Sequence, residues 1–341
     1  MFKGIVTFIA GTLSLFVINA HVAYLQPVDS GSVMVMFYNV ENLFDTFDDP
    51  ATDDDEFLPE GVRRWNQKRY RSRINSLYKV IIAAGNWSPP EIIAFCEIEN
   101  RKVLEDLVYN TNLSKYNYEI IHSDSPDPRG IDVCLIYRKE FVSILSWRYL
   151  IPDSLTDKPF VTRNVLQVKS LIANDTVNLF INHWPSRRGG VLAGEALRKE
   201  IAGMLREKAD SLAISHKDRK IIITGDFNAT PGDDVVKTVS FPYASGLRMI
   251  NLSAKNEKEK GTYRYRGTWE AIDQFIVSDR LLESETGVYT SEKLMRIFKP
   301  GFLLRKDPVY PGMSPYSAWS GFRYQGGFSD HLPVILELKF R

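Results

Sequence analysis

Six polar clusters interrupt otherwise apolar, strand-like runs of this chain, and their residue types are those that bind hard cations and move protons. Asn39 follows Val33 to Tyr38, Glu97 and Glu99 close Ile92 to Ile98, His183 closes Val177 to Asn182, and Asp226 and Asn228 follow Ile221 to Gly225. Then the placement reverses: Asp273 stands near the start of its run, and Asp330 and His331 immediately precede theirs. In antiparallel neighbours the start of one strand lies beside the end of the next, so all these groups can meet at one edge of a sheet assembly. Two carboxylates and an amide there suit a hard, oxygen-preferring ion such as Mg²⁺. A His with a neighbouring Asp supplies proton transfer or charge stabilisation. Each cluster alone is weak, since Gly-Asp-Phe-Asn is commonly just a turn and a lone His is more often structural. Ser329-Asp330-His331 suggests a serine triad, but no Gly-x-Ser-x-Gly elbow is present to supply its nucleophile.

The elements that must position these groups follow from hydrophobic patterning. Val33 to Val40, Glu91 to Glu99, Ile131 to Arg138, Val177 to His183, Lys220 to Thr224, Ala271 to Ser278 and Leu332 to Leu338 read as strands, rich in β-branched and aromatic residues. Several are nearly continuous in apolar residues, as strands covered on both faces are. Helical spacing recurs from Arg71 (Ile74, Leu77, Tyr78, Ile81) and from Glu195 (Leu197, Ile201, Leu205, Leu212). Many strands with few helices predict layered sheets with helices outside. Phe44 to Arg73 reads as an insertion, an acidic cluster (Asp48 to Glu56) followed by a basic one (Arg63 to Arg73). It lacks the mid-loop Gly and terminal Glu of an EF-hand. A solvated loop leading into a charged helix is expected, its basic part able to contact a substrate phosphate. A second long loop, Lys299 to Phe328, is rich in Pro, Gly and aromatics and is expected to wall a pocket. Cys96 and Cys134 fall inside apolar runs and read as small buried residues on different strands, without zinc-site spacing.

With 43 basic and 42 acidic residues among 341, the net charge is +1. Nothing global therefore draws the chain to nucleic acid or anionic membrane, and any attraction to phosphate must be local. The composition, 44% hydrophobic and 25% charged, is that of a folded globular protein. A chain this long needs neither disulfides nor a structural metal to fold. Lys3, the apolar stretch Gly4 to Ala20, and Ala20 or Ala23 as cleavage points describe a secretory signal peptide over residues 1–23. The alternative is an uncleaved membrane anchor. The expectation is an exported protein, periplasmic or extracellular, with one catalytic domain over 24–341 carrying the insertion at about 44–73. The membrane is a partner only if the leader is retained, and no obligate protein partner is inferred.

Six segments together resemble the endonuclease/exonuclease/phosphatase superfamily, the group of the DNase I-like nucleases. They are Tyr38-Asn39-Val40-Glu41-Asn42, Pro90 to Glu97, Ile181-Asn182-His183-Trp184-Pro185-Ser186, Gly225-Asp226-Phe227-Asn228-Ala229, Ile272-Asp273-Gln274-Phe275-Ile276 and Ser329-Asp330-His331-Leu332-Pro333, in the family's order from about Val33 to the end. The resemblance implies a four-layer α/β/β/α sandwich with its site at one end of the paired sheets, and a cofactor of Mg²⁺ (or Mn²⁺ or Ca²⁺). By position Glu97 is implied as the principal metal ligand, with Asn39 and Asp330 supporting. Asp226 orients or deprotonates the attacking water, Asn228 holds the scissile phosphate, and His331, steered by Asp273, stabilises transition-state charge. His183 takes a second, acid-like role. Cys96 departs from the family, where Gln commonly precedes the metal-binding Glu; Glu99 beyond it is either structural or a competing ligand.

The implied activity is phosphate-ester hydrolysis, with nucleic acid, DNA or RNA, as the leading substrate and Arg129, Arg187 and Arg188 as candidate phosphate contacts. Lipid headgroups, inositol phosphates and other small phosphorylated molecules are the alternative, because members of one fold differ in their loops. A noncatalytic binding module of the same fold is the reading of another class; it is expected to have lost metal or proton-transfer residues, and here none of the main ones is missing. A calcineurin-type di-metal site needs several His ligands, whereas this chain has five His in all, His21 among them in the leader.

Overall fold

The computed structural model describes residues 31–152, 162–187, 194–215, 220–240, 243–254, 261–285 and 287–341. The leader (1–23) and Arg188 lie outside the described residues. In chain order the elements are β1 (Ser32–Leu43), α1 (Gln67–Ala84), β2 (Ile92–Ile98), α2 (Arg101–Tyr109), β3 (Tyr118–Ile121), β4 (Asp132–Arg138), β5 (Val142–Leu150), β6 (Val165–Ile172), β7 (Asp175–His183), α3 (Glu195–Ser215), β8 (Lys220–Asp226) and α4 (Asp234–Ser240). There follow β9 (Met249–Asn251), β10 (Tyr263–Tyr265), β11 (Thr268–Glu270), β12 (Asp273–Ser278), β13 (Val288–Tyr289), β14 (Met295–Ile297), β15 (Leu304–Lys306), β16 (Met313–Pro315), β17 (Trp319–Ser320), β18 (Arg323–Tyr324) and β19 (Val334–Phe340).

Alternation along the strands builds the layers. In β1, Val33, Val35 and Phe37 face a core that also takes Val168, Leu179, Ile181, Ile222 and Phe275 from the other sheet. Met36, Tyr38 and Val40 face the opposite way, onto Ile74, Leu77 and Ile81 of α1 and Leu104 and Leu107 of α2. Phe180, Ile221 and Ile223 cover the far side of the second sheet beneath α3 and α4. Two sheets face to face with helices on both outer sides make the four-layer α/β/β/α sandwich expected from the resemblance.

The first sheet runs β13-β19-β1-β2-β4-β3, with β14 also on β19, and the second runs β5-β6-β7-β8-β12-β9. Each has one parallel pair at its centre, β1 with β2 and β7 with β8. These pairs bring Asn39 opposite Cys96 and His183 opposite Asp226. The antiparallel neighbours β12 and β19 begin where those strands end, with Asp273 opposite Asp226 and Val334 opposite Phe37. Patterning missed β5 and β6. The middle of β5 is exposed at the sheet's edge, so it carries no apolar run to read.

The insertion departs from its expected form. It is not a solvated loop: Phe44, Phe57 and Trp65 are buried. Phe44 stacks on Phe57 at 4.0 Å between ring centroids, and Trp65 meets Trp319 at 5.1 Å and Tyr324 at 5.4 Å, both from the second long loop. The aromatics stand irregularly between charges, so no period marks them, yet each supplies a large apolar area to bury. α1 starts at Gln67, before the expected Arg71, because Asn66 caps it by accepting the Arg69 N–H at 3.2 Å. The two cysteines are free and buried on neighbouring strands one register apart, and they join different cores. Among the described residues no helix is long and apolar enough to cross a membrane.

If the insertion is part of the core, Trp65→Ala should cost about 3–5 kcal/mol, the scale of emptying a buried Trp site. Urea unfolding of the purified protein measures this. A loss below about 1 kcal/mol would show the insertion to be peripheral.

Candidate active site

Local backbone distortions aim the polar side chains at the shared edge. β2 carries a register shift between Cys96 and Ile98, and Glu97 within it has φ +64°. A bulge re-aims a side chain that would otherwise alternate with its neighbours. Asn228 sits at φ +46° in the turn after β8. Such left-handed residues other than Gly each cost on the order of 1 kcal/mol or more and persist where the surroundings enforce them. At Gly225 φ is +152°, and a Cβ would stand 2.2 Å from the Asn182 carbonyl oxygen, so Gly alone lets β7 and β8 close up beside Asp226.

One amide bridges the edges of the two sheets, and a His–Asp pair lies beside it. Asn39 Nδ2 donates to Glu97 Oε1 (3.2 Å) in its own sheet and to Asp226 Oδ2 (3.0 Å) in the other, while its Oδ1 accepts the Glu41 N–H (2.9 Å). The second Glu97 oxygen accepts the Asn42 N–H at 2.8 Å. His183 Nε2 lies 3.7 Å from both Glu97 Oε1 and Asp226 Oδ2. His331 Nε2 lies 3.8 Å from Asp226 Oδ2 and 4.0 Å from Asp330 Oδ1, and its Nδ1 is 2.8 Å from Asp273 Oδ2. Ser329 Oγ donates to the Asn39 carbonyl and accepts the His331 N–H, which ties the last motif to the first. The Tyr263 ring lies 4.9 Å from that of His331, tilted by 36°.

The two imidazoles are biased in opposite directions. Burial disfavours a charged His331, but the Asp273, Asp226 and Asp330 carboxylates outweigh it and hold the ring well above the ordinary His range. Burial, followed by the positive charges of Arg163, Arg129 and His331, holds His183 well below it. Asp226 is pushed up by burial, opposed by His331 and reinforced by Asp273 and Glu97. Neighbouring titratable groups driven apart in this way mark acid and base assignments.

The donor set fits a divalent cation. Glu97, Asp226 and Asp330 bring three carboxylates to the shared edge, Asp226 buried and the other two partly exposed, and burial together with the Glu97 charge pushes Asp330 up against the opposing His331 charge. Like carboxylates packed so closely need a counter-charge, and an all-oxygen set suits Mg²⁺, Mn²⁺ or Ca²⁺. Glu97 and Asp330 would hold such an ion. Asn39 directs its Nδ2 to both carboxylates, so in this arrangement it orients Glu97 and Asp226. Asp226, Asp273 and His331 also form a tight cluster of possible ligand atoms, but Asp273 is engaged with His331. Glu99 turns away from the edge. It accepts the Asp45 N–H at 2.6 Å, and burial with the charges of Asp45 and Asp54 pushes it up to about 9, so it braces the insertion as a neutral acid.

The remaining expected residues divide. Asn228 N–H bonds Asp226 Oδ1 at 2.8 Å, and its Nδ2 donates to the Trp184 carbonyl at 2.9 Å. Arg129 clasps Asp127 through two bonds of 3.2 Å while its charge reaches Glu97 and His183. Arg187 donates to the Asn228 carbonyl at 2.7 Å and pairs with Asp233 and Glu270, so it braces the Asn228 turn. Sequence reasoning missed two contributors. Arg163 is buried, pairs with Asp127 at 3.0 Å and donates to the Trp184 carbonyl at 2.7 Å; nothing in its local sequence signals this. Glu41 lies inside a quoted motif but received no role. Its carboxylate accepts the Ala318 N–H at 2.6 Å and the Trp319 N–H at 3.2 Å, which fastens the second long loop to the site strand.

Asp273→Asn should lower kcat by about 10²-fold or more while KM moves little, because the amide can no longer fix and charge the His331 ring. A purely structural role predicts instead lost folding with no change in the pH–rate profile of the surviving enzyme. Profiles of wild type and variant separate the two.

The sequence profile of the Endonuclease/Exonuclease/phosphatase family matches residues 34–340. No curated protein matches the chain. Among solved structures it is similar to a mannosyl-6-phosphatase from Bacteroides thetaiotaomicron, with TM-score 0.58 and 17% identity, over 91% of this chain and 100% of that one. The catalytic domain of human Nocturnin with bound sulfate gives 0.53 and 15%, over 91% and 95%. D. rerio TDP2 complexed with a single-strand DNA product gives 0.54 and 14%, over 90% and 98%. At these identities the likeness shows the fold, and the profile match across nearly the whole chain shows the kinship: this protein belongs to the endonuclease/exonuclease/phosphatase family of phosphoesterase hydrolases.

Proposed function

We propose that the protein is an exported, divalent-cation-dependent phosphodiesterase acting on nucleic acid. The observation that carries the hydrolytic reading is the position of Asp226, a buried carboxylate raised above its ordinary range and faced by two imidazoles of opposite bias. Attack on a phosphodiester builds negative charge on nonbridging and leaving oxygens, where fixed donors contribute most. His331, held protonated, supplies such a donor from Nε2, oriented by Asp273. Asp226 orients the attacking water and accepts its proton, since a raised carboxylate is a better base near neutral pH. His183, held neutral, serves as a hydrogen-bond donor at the leaving oxygen. A bound divalent ion supplies Lewis-acid stabilisation of the same charge. Export rests on the leader alone.

The structural neighbours support phosphate esters as substrates, one by its single-strand DNA product and another by its name as a sugar phosphatase. A second reading, hydrolysis of a small phosphorylated molecule, is favoured by one observation. Arg187 is committed to Asp233 and Glu270, and Arg129 to Asp127, so the cations beside the site are already engaged.

The mature protein should cut plasmid DNA or RNA in Mg²⁺, lose activity in EDTA and regain it with excess Mg²⁺. Glu97→Ala and His331→Ala should each lower turnover by at least about 10²-fold. Unchanged rates in both variants would remove the mechanism, and turnover confined to phosphomonoesters would move the assignment to the second reading.

A further inference from the structure

We infer that the chain carries a second phosphate-binding site, for single-stranded nucleic acid, in the pocket where the insertion meets the second long loop. This rests on the nuclease reading above. The cavity, of about 300 Å³, is lined by Arg63, Arg64, Arg69, Phe322 and Arg323 with Val62 and Tyr324, and contains no carboxylate. Two of its four guanidinium groups are structural. Arg63 is wedged against Phe57, Trp319 and Phe322 at 4.6–5.2 Å, with Glu56 and the Gly321 carbonyl as partners. Arg69 donates to the carbonyls of Arg63 and Arg64 at 2.8 and 2.7 Å. The other two, Arg64 and Arg323, are exposed, and neither side chain has an ion-pair partner among the described residues. Beside them Phe322 is 59% exposed.

Free guanidinium groups around an exposed aromatic ring match a single strand, whose phosphates they neutralise while a base stacks on the ring. A lone small phosphate would leave the exposed part of the Phe322 ring uncovered. The pocket is tied to the catalytic edge through shared structure. Arg323 pairs across the β17–β18 hairpin with Ser320, one residue from Trp319, whose N–H holds Glu41 beside Asn39. Arg73 bonds the Val40 and Phe328 carbonyls, so the site strand and this loop share one frame.

The test uses the mature protein and its Arg64→Gln/Arg323→Gln double variant, both exposed positions remote from the catalytic edge. Binding of an oligothymidylate of about twelve residues is followed by fluorescence anisotropy in EDTA across a salt series. Turnover is followed in Mg²⁺ on the same oligonucleotide and on a small chromogenic diester. The variant should bind the oligonucleotide about tenfold more weakly, and its salt slope should fall by about 1.4, the value for two lost single-strand phosphate contacts. Its rate on the small diester should equal that of wild type. Equal affinity and slope in both proteins overturn the second site, whether or not the oligonucleotide is cut. Wild-type protein that turns over only monoesters overturns the substrate reading, and this site with it.

Discussion

An amide, with the His331–Asp273 bond beside it, joins the two halves of this enzyme's chemistry. Asn39 belongs to the first sheet and Asp226 to the second, and the 3.0 Å bond between them crosses the open end of the sandwich. Its partner bond holds Glu97, the carboxylate proposed to bind the metal, to the same amide. The bond exists because apolar faces of both sheets press together through Val35, Phe37, Ile181 and Ile222, which fixes the spacing between strand ends. Close-packed interiors resist sliding, so the core's geometry becomes the site's geometry.

That placement has an electrostatic cost. Neighbouring carboxylates repel one another, and burial disfavours charge on Asp226 and Asp330. The protein offsets this with unequal treatment of its histidines. His331 gains Asp273 as a partner and is held as a cation, while His183 stands near Arg129 and Arg163 and is held neutral. The divalent ion implied by the family completes the balance on the side of Glu97 and Asp330. Repulsion that would destabilise an inert protein is here what prepares Asp226 for its role.

The peripheral loops act as a brace for this arrangement. Arg73 on α1 reaches the backbone of both β1 and the segment leading to Asp330, and Glu41 receives two N–H groups from the second loop. Glu99, neutralised by burial, holds the start of the insertion. Together they brace the strand ends that carry Asn39, Asp330 and His331. Their aromatic packing also creates the arginine-lined pocket.

By itself the sequence determined the family, the order of strands and the chemical groups at their ends. Those depend on local pattern: β-branched runs, a Gly that alone tolerates the Gly225 backbone, polar residues standing where apolar ones stop. Only the tertiary structure decided what each group faces. Glu97 and Glu99 look equivalent in the chain, but the bulge at Glu97 turns one to Asn39 at the shared edge while the other turns to Asp45. Arg129 and Arg187 look alike as phosphate contacts, but Arg129 is clasped by Asp127 two residues before it, while Arg187 is held by Asp233 and Glu270 from distant segments. Arg163 carries no local mark at all, because its role lies in an ion pair with Asp127, 36 residues away. Periodicity records whether a side chain is buried; which charge it meets there is set by contacts between distant segments, and these exist only once the sheets have packed.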